Sequence, residues 1–196
     1  MWYWIFRIIF IIIFKLLFRL KVEGLQNLPK SNFIIIANHN SYLDALVIMA
    51  IVPKKIHVIA LRSLYKIPWL RWLLRVLEAL PVGSSSPKAI ELLANNKIVG
   101  IFPEGGATSD GKLKEFRRGA ALLALKTGRP IVPCAILGTY EALPINAKFI
   151  KLRPIKVKIG QPIYLLKEFD EIIDDLYLQE GIFKVRNIVK ELLNAG

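Results

Sequence analysis

From residue 24 onward, short apolar runs rich in β-branched residues alternate with longer stretches in which apolar positions recur every three or four residues. The pattern predicts strands at Phe33–Ala37, Ile56–Ala60, Ile98–Phe102, Ile131–Leu137 and Ile155–Ile159. It predicts helices at Leu43–Ile51, Ser63–Leu80, Pro87–Asn95 and Phe116–Thr127, and a last helical region from Glu168 to Leu193 broken at Gly181. Ser86-Pro87 reads as a cap and first turn, and Gly128 as a stop ahead of Pro130. Strands that are apolar throughout and separated by helices belong to a sheet covered on both faces. The expected fold class is therefore α/β: a two-layer or sandwiched domain with a mostly parallel or mixed central sheet flanked by helices. Ligands are expected beyond the carboxyl ends of its strands.

The opening MWYWIFRIIFIIIFKLLFRLKV breaks that rhythm, being apolar with Arg7, Lys15, Arg19 and Lys21 gathered on one side of a helical wheel. About 20 helical residues could cross the hydrocarbon, but Arg7 would then lie inside it at a cost of ~2.5–3.5 kcal/mol unless it snorkels. A helix lying in the interface, on the anionic headgroups of the cytoplasmic face of the cell membrane, fits better than a span. A secretory signal fits less well, because no small-residue cleavage site precedes Arg19-Leu20-Lys21. The expected organisation is an N-terminal membrane-associated helix over residues 1–22 followed by one domain over 23–196.

Composition sharpens this picture. Hydrophobic residues make up 54% of the 196, yet charged residues still reach 22%, as for a globular body with a membrane-facing part. The formal net charge of +13 favours anionic partners. Nucleic acid is not expected among them, since the cations are spread along greasy helices with no basic–aromatic module. A single cysteine, Cys134, excludes an internal disulfide and leaves no cysteine cluster for zinc; no metal is expected.

Two turns carry candidate chemistry. Asn38-His39-Asn40-Ser41-Tyr42-Leu43-Asp44 follows the first predicted strand of the domain. Five residues on one helix would separate His39 and Asp44 by ~140°, so a helical face cannot pair them. With His39 in the turn and Asp44 in the first turn of the next helix, the carboxylate can fold back onto the imidazole. It then fixes the tautomer and leaves the other nitrogen to accept a proton from a hydroxyl. On spacing alone, a helix cap at Asp44 and a satisfied turn histidine are the stronger reading. The second turn, Phe102-Pro103-Glu104-Gly105-Gly106-Ala107-Thr108-Ser109, follows a later strand and could present backbone N–H groups to a phosphate or oxyanion. Lys112, Lys114, Arg117 and Arg118 follow closely. Between the turns, Trp69, Arg71, Trp72 and Arg75 suit either the headgroup level of a bilayer or an ordinary packed helix. The carboxylates of Asp170, Glu171, Asp174 and Asp175 read as an exposed acidic helix face, and His57 and Cys134 as buried strand residues.

Taken in order, these residues resemble the 1-acyl-glycerol-3-phosphate acyltransferase family of glycerolipid acyltransferases, marked by N-H-x4-D and a later F-P-E-G-T-R-S. The first is Asn38-His39 through Asp44, complete, and the second begins as Phe102-Pro103-Glu104-Gly105. Phe116-Arg117-Arg118-Gly119-Ala120 and Pro130-Ile131-Val132-Pro133 match later family segments, so the resemblance covers roughly residues 23 to 165. It implies direct transfer of a fatty acyl group from an acyl carrier protein or coenzyme A thioester to the free hydroxyl of 1-acyl-glycerol-3-phosphate, giving phosphatidic acid. His39 is then the general base and Asp44 its orienting acid, with no further cofactor. Asn38, Glu104, Gly105, Gly106, Thr108, Arg117 and Arg118 are the expected substrate-binding residues, and membrane phospholipid and lysophospholipid the expected partners.

The departures fall on the phosphate-binding positions. Gly106-Ala107 stands where the family has Thr-Arg, and a second arginine expected near Pro81-Val82-Gly83-Ser84 is replaced by Ser84. Arg62, Lys88, Lys112, Arg117 and Arg118 are the candidate substitutes; otherwise the acceptor is another lysophospholipid or an aminolipid, or the chain is a non-catalytic membrane-binding relative.

Overall fold

The structure, a computed structural model, describes residues 2–60, 62–66, 68–81, 85–165 and 175–195. In chain order its elements are α1 (Trp2–Leu17), β1 (Lys21–Glu23), β2 (Ile34–Ala37), α2 (Leu43–Ile51), β3 (Ile56–Ala60), α3 (Pro68–Val76), β4 (Leu80–Pro81), α4 (Ser85–Ala94), β5 (Ile98–Ile101), α5 (Gly119–Thr127), β6 (Ile131–Leu137), α6 (Thr139–Ala142), β7 (Lys156–Ile159) and α7 (Asp175–Asn194). Short 3₁₀ turns lie at Leu25–Asn27 and Arg62–Lys66.

The strands form one seven-stranded sheet in the order β1-β7-β6-β2-β5-β3-β4. Every pairing is parallel except β6 with β7, so the sheet is mostly parallel with two reversed strands at one edge. Successive residues of a strand face opposite ways, and the core divides accordingly. Ile35 and Ala37 pack with Tyr3, Phe14 and Phe18 around α1 and with Val47 and Ile48 of α2. Ile34 and Ile36 face Ala89 and Leu93 of α4, Ala121 of α5 and Ile182 and Val185 of α7. The fold is an α/β sandwich with helices on both faces, as the apolar strands imply.

Several elements differ from the sequence expectation for local reasons. The first helix stops at Leu17 rather than running through residue 22. Arg19 takes a left-handed conformation (φ 47°), and Leu20 N–H reaches back to the Phe14 carbonyl, closing the helix end. The chain then enters the sheet as β1, so the expected boundary after residue 22 falls inside a strand. The helix expected over Ser63–Leu80 restarts at Pro68, a residue suited to a first helical turn, and closes with Glu78 at φ 51° before β4. Gly181 does not break α7. It lies inside the helix, where an added Cβ would stand 3.2 Å from Leu165 Cδ1 and 3.8 Å from Ala121 Cβ, so the missing side chain lets α7 pack closely. Asp170, Glu171 and Asp174 of the acidic cluster lie outside the described residues.

Arg7 leaves the basic stripe expected of α1. Its Nε donates to the carbonyl of Val52, the residue that ends α2, at 2.9 Å, and its guanidinium lies 5.9 Å from the Trp4 ring. The outward side of α1 is mostly apolar, with Trp2, Ile5, Ile8, Ile12 and Leu16 all exposed and Lys15 exposed beside them. Trp72 of α3 meets Phe6 of α1 edge to face at 5.7 Å. None of the described helices is long and apolar enough to cross a membrane.

Candidate active site

The carboxyl ends of β2, β5 and β6 share one rim of the sheet, and the two turns singled out in the sequence meet there. β2 delivers Asn38 and His39, and α2 begins four residues later with Asp44 in its first turn. His39 Nδ1 and Asp44 Oδ2 lie 2.9 Å apart. The same oxygen accepts the backbone N–H groups of Asn40 at 2.7 Å and Ser41 at 2.8 Å. Two consecutive N–H groups aimed at one point form a small anion-binding concavity, which fixes the carboxylate before the imidazole reaches it. Asp44 is fully buried, whereas the His39 side chain keeps 18% of its surface open. With the Nδ1 proton directed at Asp44, Nε2 carries the lone pair, and it has no protein partner among the described residues. Ser41 Oγ accepts the Leu43 N–H at 3.1 Å and so serves the start of α2 rather than nucleophilic chemistry.

The imidazole is also held from one side. Phe102, at the end of β5, stacks on it with ring centroids 4.3 Å apart and planes 22° from parallel. Sequence reading assigned no role to Phe102; its place at a strand end adjacent to the glycine-rich turn was the available signal.

Asn38, Glu104 and Thr108, expected among the substrate contacts, direct their polar atoms into the protein. The Asn38 carboxamide donates to the Ile136 carbonyl at 2.9 Å and accepts the Ile136 N–H at 2.7 Å, joining the end of β2 to β6. Glu104 accepts the His39 N–H on Oε1 at 2.8 Å and the Lys114 N–H on Oε2 at 3.1 Å. Burial pushes its carboxyl above the ordinary glutamate value, although both N–H groups pull the other way. Thr108 donates its N–H to the His39 carbonyl at 2.8 Å and its hydroxyl to Asp110. Glu104 and Thr108 thus grip both backbone groups of His39.

Gly105 and Gly106 differ in what surrounds them. Gly105 has φ 78°, and an added Cβ would stand 2.4 Å from Arg117 Cζ, so the Arg117 guanidinium lies directly on this turn. Nothing lies within 4 Å of the Cβ position at Gly106, which leaves open space beside the turn. Arg117 N–H also bonds the Pro103 carbonyl at 2.9 Å. Arg118 turns to α7 and pairs with Asp175 at 2.5 Å. Lys88 pairs with Glu91 on α4, and Ser84 lies outside the described residues. Behind Arg117, a cleft of about 820 Å³ opens toward α7, lined in part by Phe116, Arg118, Leu176, Phe183 and Arg186.

The chain has known relatives. A family profile described as Acyltransferase matches residues 19–137, spanning both turns. The chain belongs to the acyltransferase family. The chain is 34% identical over 152 residues to the 1-acyl-sn-glycerol-3-phosphate acyltransferase of Bacillus subtilis (strain 168), an alignment covering 74% of this chain and 73% of that one. It is 28% identical over 188 residues to the chloroplastic 1-acyl-sn-glycerol-3-phosphate acyltransferase BAT2 of Brassica napus, covering 90% of this chain and 52% of that protein. The chain thus spans about half the length of that plant relative. Among solved structures, the 1-acyl-sn-glycerophosphate acyltransferase PlsC from Thermotoga maritima superposes with a TM-score of 0.80 at 31% identity, over 97% of this chain and 79% of that one.

Proposed function

We propose that this acyltransferase moves a fatty acyl group from a thioester, acyl carrier protein or coenzyme A, to the free hydroxyl of 1-acyl-sn-glycerol-3-phosphate, giving phosphatidic acid. The observation that carries this reading is the His39–Asp44 pair at 2.9 Å with Nε2 open on the exposed side. Nε2 takes the hydroxyl proton as the oxygen attacks the thioester carbonyl, and Asp44 stabilises the imidazolium. Collapse of the tetrahedral adduct breaks the C–S bond, the imidazolium returns its proton to the departing sulfur, and an ester and a free thiol result. No acyl-enzyme forms, because the nucleophile belongs to the acceptor.

Within this reading Asn38, Glu104 and Thr108 brace the catalytic turn, and the acceptor phosphate lies over Gly106 against Arg117. That guanidinium supplies the positive charge that Gly106-Ala107 lacks, from ten residues further along the chain. The apolar outer face of α1 lies in the membrane interface and brings the lyso-lipid to the rim. Transfer of a labelled acyl group to lysophosphatidic acid and to a panel of other lysolipids tests the acceptor. Phosphatidic acid as the dominant product supports the reading. Product from a lysolipid with another headgroup alone keeps the chemistry and moves the acceptor.

A further inference from the structure

The loop from α6 to β7 carries a surface that no part of the transfer chemistry uses. Its tip reads Lys148-Phe149-Ile150-Lys151-Leu152-Arg153. Phe149 is 80% exposed, Ile150 55% and Leu152 61%, and the three cations between and beside them are exposed as well. No aspartate or glutamate occurs between Glu141 and Glu168, so no carboxylate on the loop offsets the charge.

The tip is held in a fixed shape. Ala147 N–H bonds the Pro144 carbonyl at 2.9 Å, Lys151 N–H the Ala142 carbonyl at 2.8 Å, and Arg153 N–H the Lys151 carbonyl at 2.9 Å. It is also placed at the catalytic rim. β6 runs parallel to β2 and β7 antiparallel to β6, so the connection between β6 and β7 emerges at the same end of the sheet as the His39 turn. Tyr140 at the start of the connection donates its hydroxyl to the Ser109 carbonyl of the glycine-rich turn. At the other end, Ile155 N–H bonds the Phe18 carbonyl, tying the loop to the end of α1 beside exposed Leu16 and Leu17.

We infer that residues 148–153 form a second membrane-contacting element, in which Phe149, Ile150 and Leu152 enter the headgroup–acyl boundary of an anionic bilayer while Lys148, Lys151 and Arg153 meet its phosphates. Three observations favour a bilayer over a protein partner. Lysine is depleted in the centre of protein interfaces, yet two lysines flank Phe149 and Ile150 here. Aromatic and aliphatic side chains interleaved with cations match the chemistry of an anionic lipid interface. The loop also continues the exposed apolar face of α1 at that helix's carboxyl end. Together the two elements set the depth and tilt of the rim that bears His39. The inference rests in part on the membrane contact proposed for α1 and does not require the transfer reaction.

The test attaches an environment-sensitive fluorophore at Phe149→Cys in the full chain; the native Cys134 is fully buried and does not compete. A probe at Asn95→Cys, on the opposite rim before β5, serves as the control. With vesicles of phosphatidylglycerol and phosphatidylcholine, the probe at 149 shifts to the blue and is quenched by lipids spin-labelled near the headgroup, while the probe at 95 is unchanged. The variant Phe149→Ser/Leu152→Ser binds the same vesicles at least tenfold more weakly with an unchanged melting temperature. A probe at 149 that stays in water while the protein sediments with vesicles overturns the inference, as does failure of the protein to sediment at all. A response to an acidic carrier protein or to the protein's own concentration, without one to lipid, equally overturns it.

Discussion

His39 Nδ1 lies 2.9 Å from Asp44 Oδ2, and that one carboxylate oxygen also gathers the N–H groups of Asn40 and Ser41. The carboxylate is therefore fixed by the turn between the two residues before it orients the imidazole. Asp44→Asn places an amide in this concavity. If its oxygen takes the place of Oδ2 it still accepts all three N–H groups, but a neutral amide does not stabilise the imidazolium; if its NH₂ group takes that place, nothing accepts the Nδ1 proton and the tautomer is free to invert. We expect turnover to fall ~10²–10⁴-fold, the range for a lost orienting carboxylate or general base. Steady-state acyl transfer, with circular dichroism to verify folding, measures this.

Glu104 separates a bracing role from a binding one. Both of its oxygens accept backbone N–H groups, from His39 and from Lys114. Glu104→Gln can accept only one and turns an NH₂ group toward the other. The expected result is a loss of ~1–3 kcal/mol in denaturant unfolding, the cost of an unsatisfied buried group, and a lower kcat as His39 loosens. The acceptor KM changes little. A variant whose only defect is a raised acceptor KM would instead mark Glu104 as a substrate ligand.

Arg117 and Arg118 are neighbours in sequence with different surroundings. Arg117 lies on the Gly105 turn, whereas Arg118 pairs with Asp175 of α7. Arg117→Gln should raise the KM for lysophosphatidic acid by tenfold or more, since a charge-assisted bond to phosphate is worth ~1.5–3 kcal/mol. Arg118→Gln should change it less than threefold. Gly105→Ala should resemble Arg117→Gln, because its methyl group would occupy the guanidinium's position at a backbone angle that already disfavours it.

His57 gives a pH dependence whose sign follows from burial. Its ring is 4% exposed with Nε2 unsatisfied, and desolvation lowers its pKa below the ordinary 6.5 despite the opposing pull of the Glu78 carbonyl and carboxylate. The unfolded chain then binds this proton before the folded one does. The contribution to stability is present above pH 6.5 and declines as pH falls through the lowered value. Urea midpoints between pH 7.5 and 5.5 should fall for the wild type. They should fall less for His57→Phe, which has no proton to gain.

The geometry of the candidate site was legible in the sequence because its signals are local. An apolar strand ends at Ala37, the histidine follows in a turn, and the aspartate opens a helix. The sandwich was legible for the same reason, β2, β5 and β6 being apolar on both faces. What the sequence hid depends on distant partners. Nothing in residues 2–17 announces that Arg7 will bond Val52, since that contact needs α2 packed alongside α1. β1 and β4 are three and two residues long, too short for a period, and exist because β7 and β3 offer them edges. The inward engagement of Asn38 with Ile136 spans 98 residues and follows only from the β2–β6 pairing. Gly181 reads as a breaker until Leu165 and Ala121 are seen against it.

The central claim is that His39 deprotonates the acceptor hydroxyl directly. Transfer of labelled acyl groups from a thioester to lysophosphatidic acid, by membrane preparations of the wild type and His39→Ala at matched amounts of folded protein, tests it. The account predicts phosphatidic acid from the wild type, at least 10³-fold less from His39→Ala, and no labelled protein when the acceptor is withheld. Undiminished product from His39→Ala, or a labelled acyl-enzyme in the wild type, would contradict it.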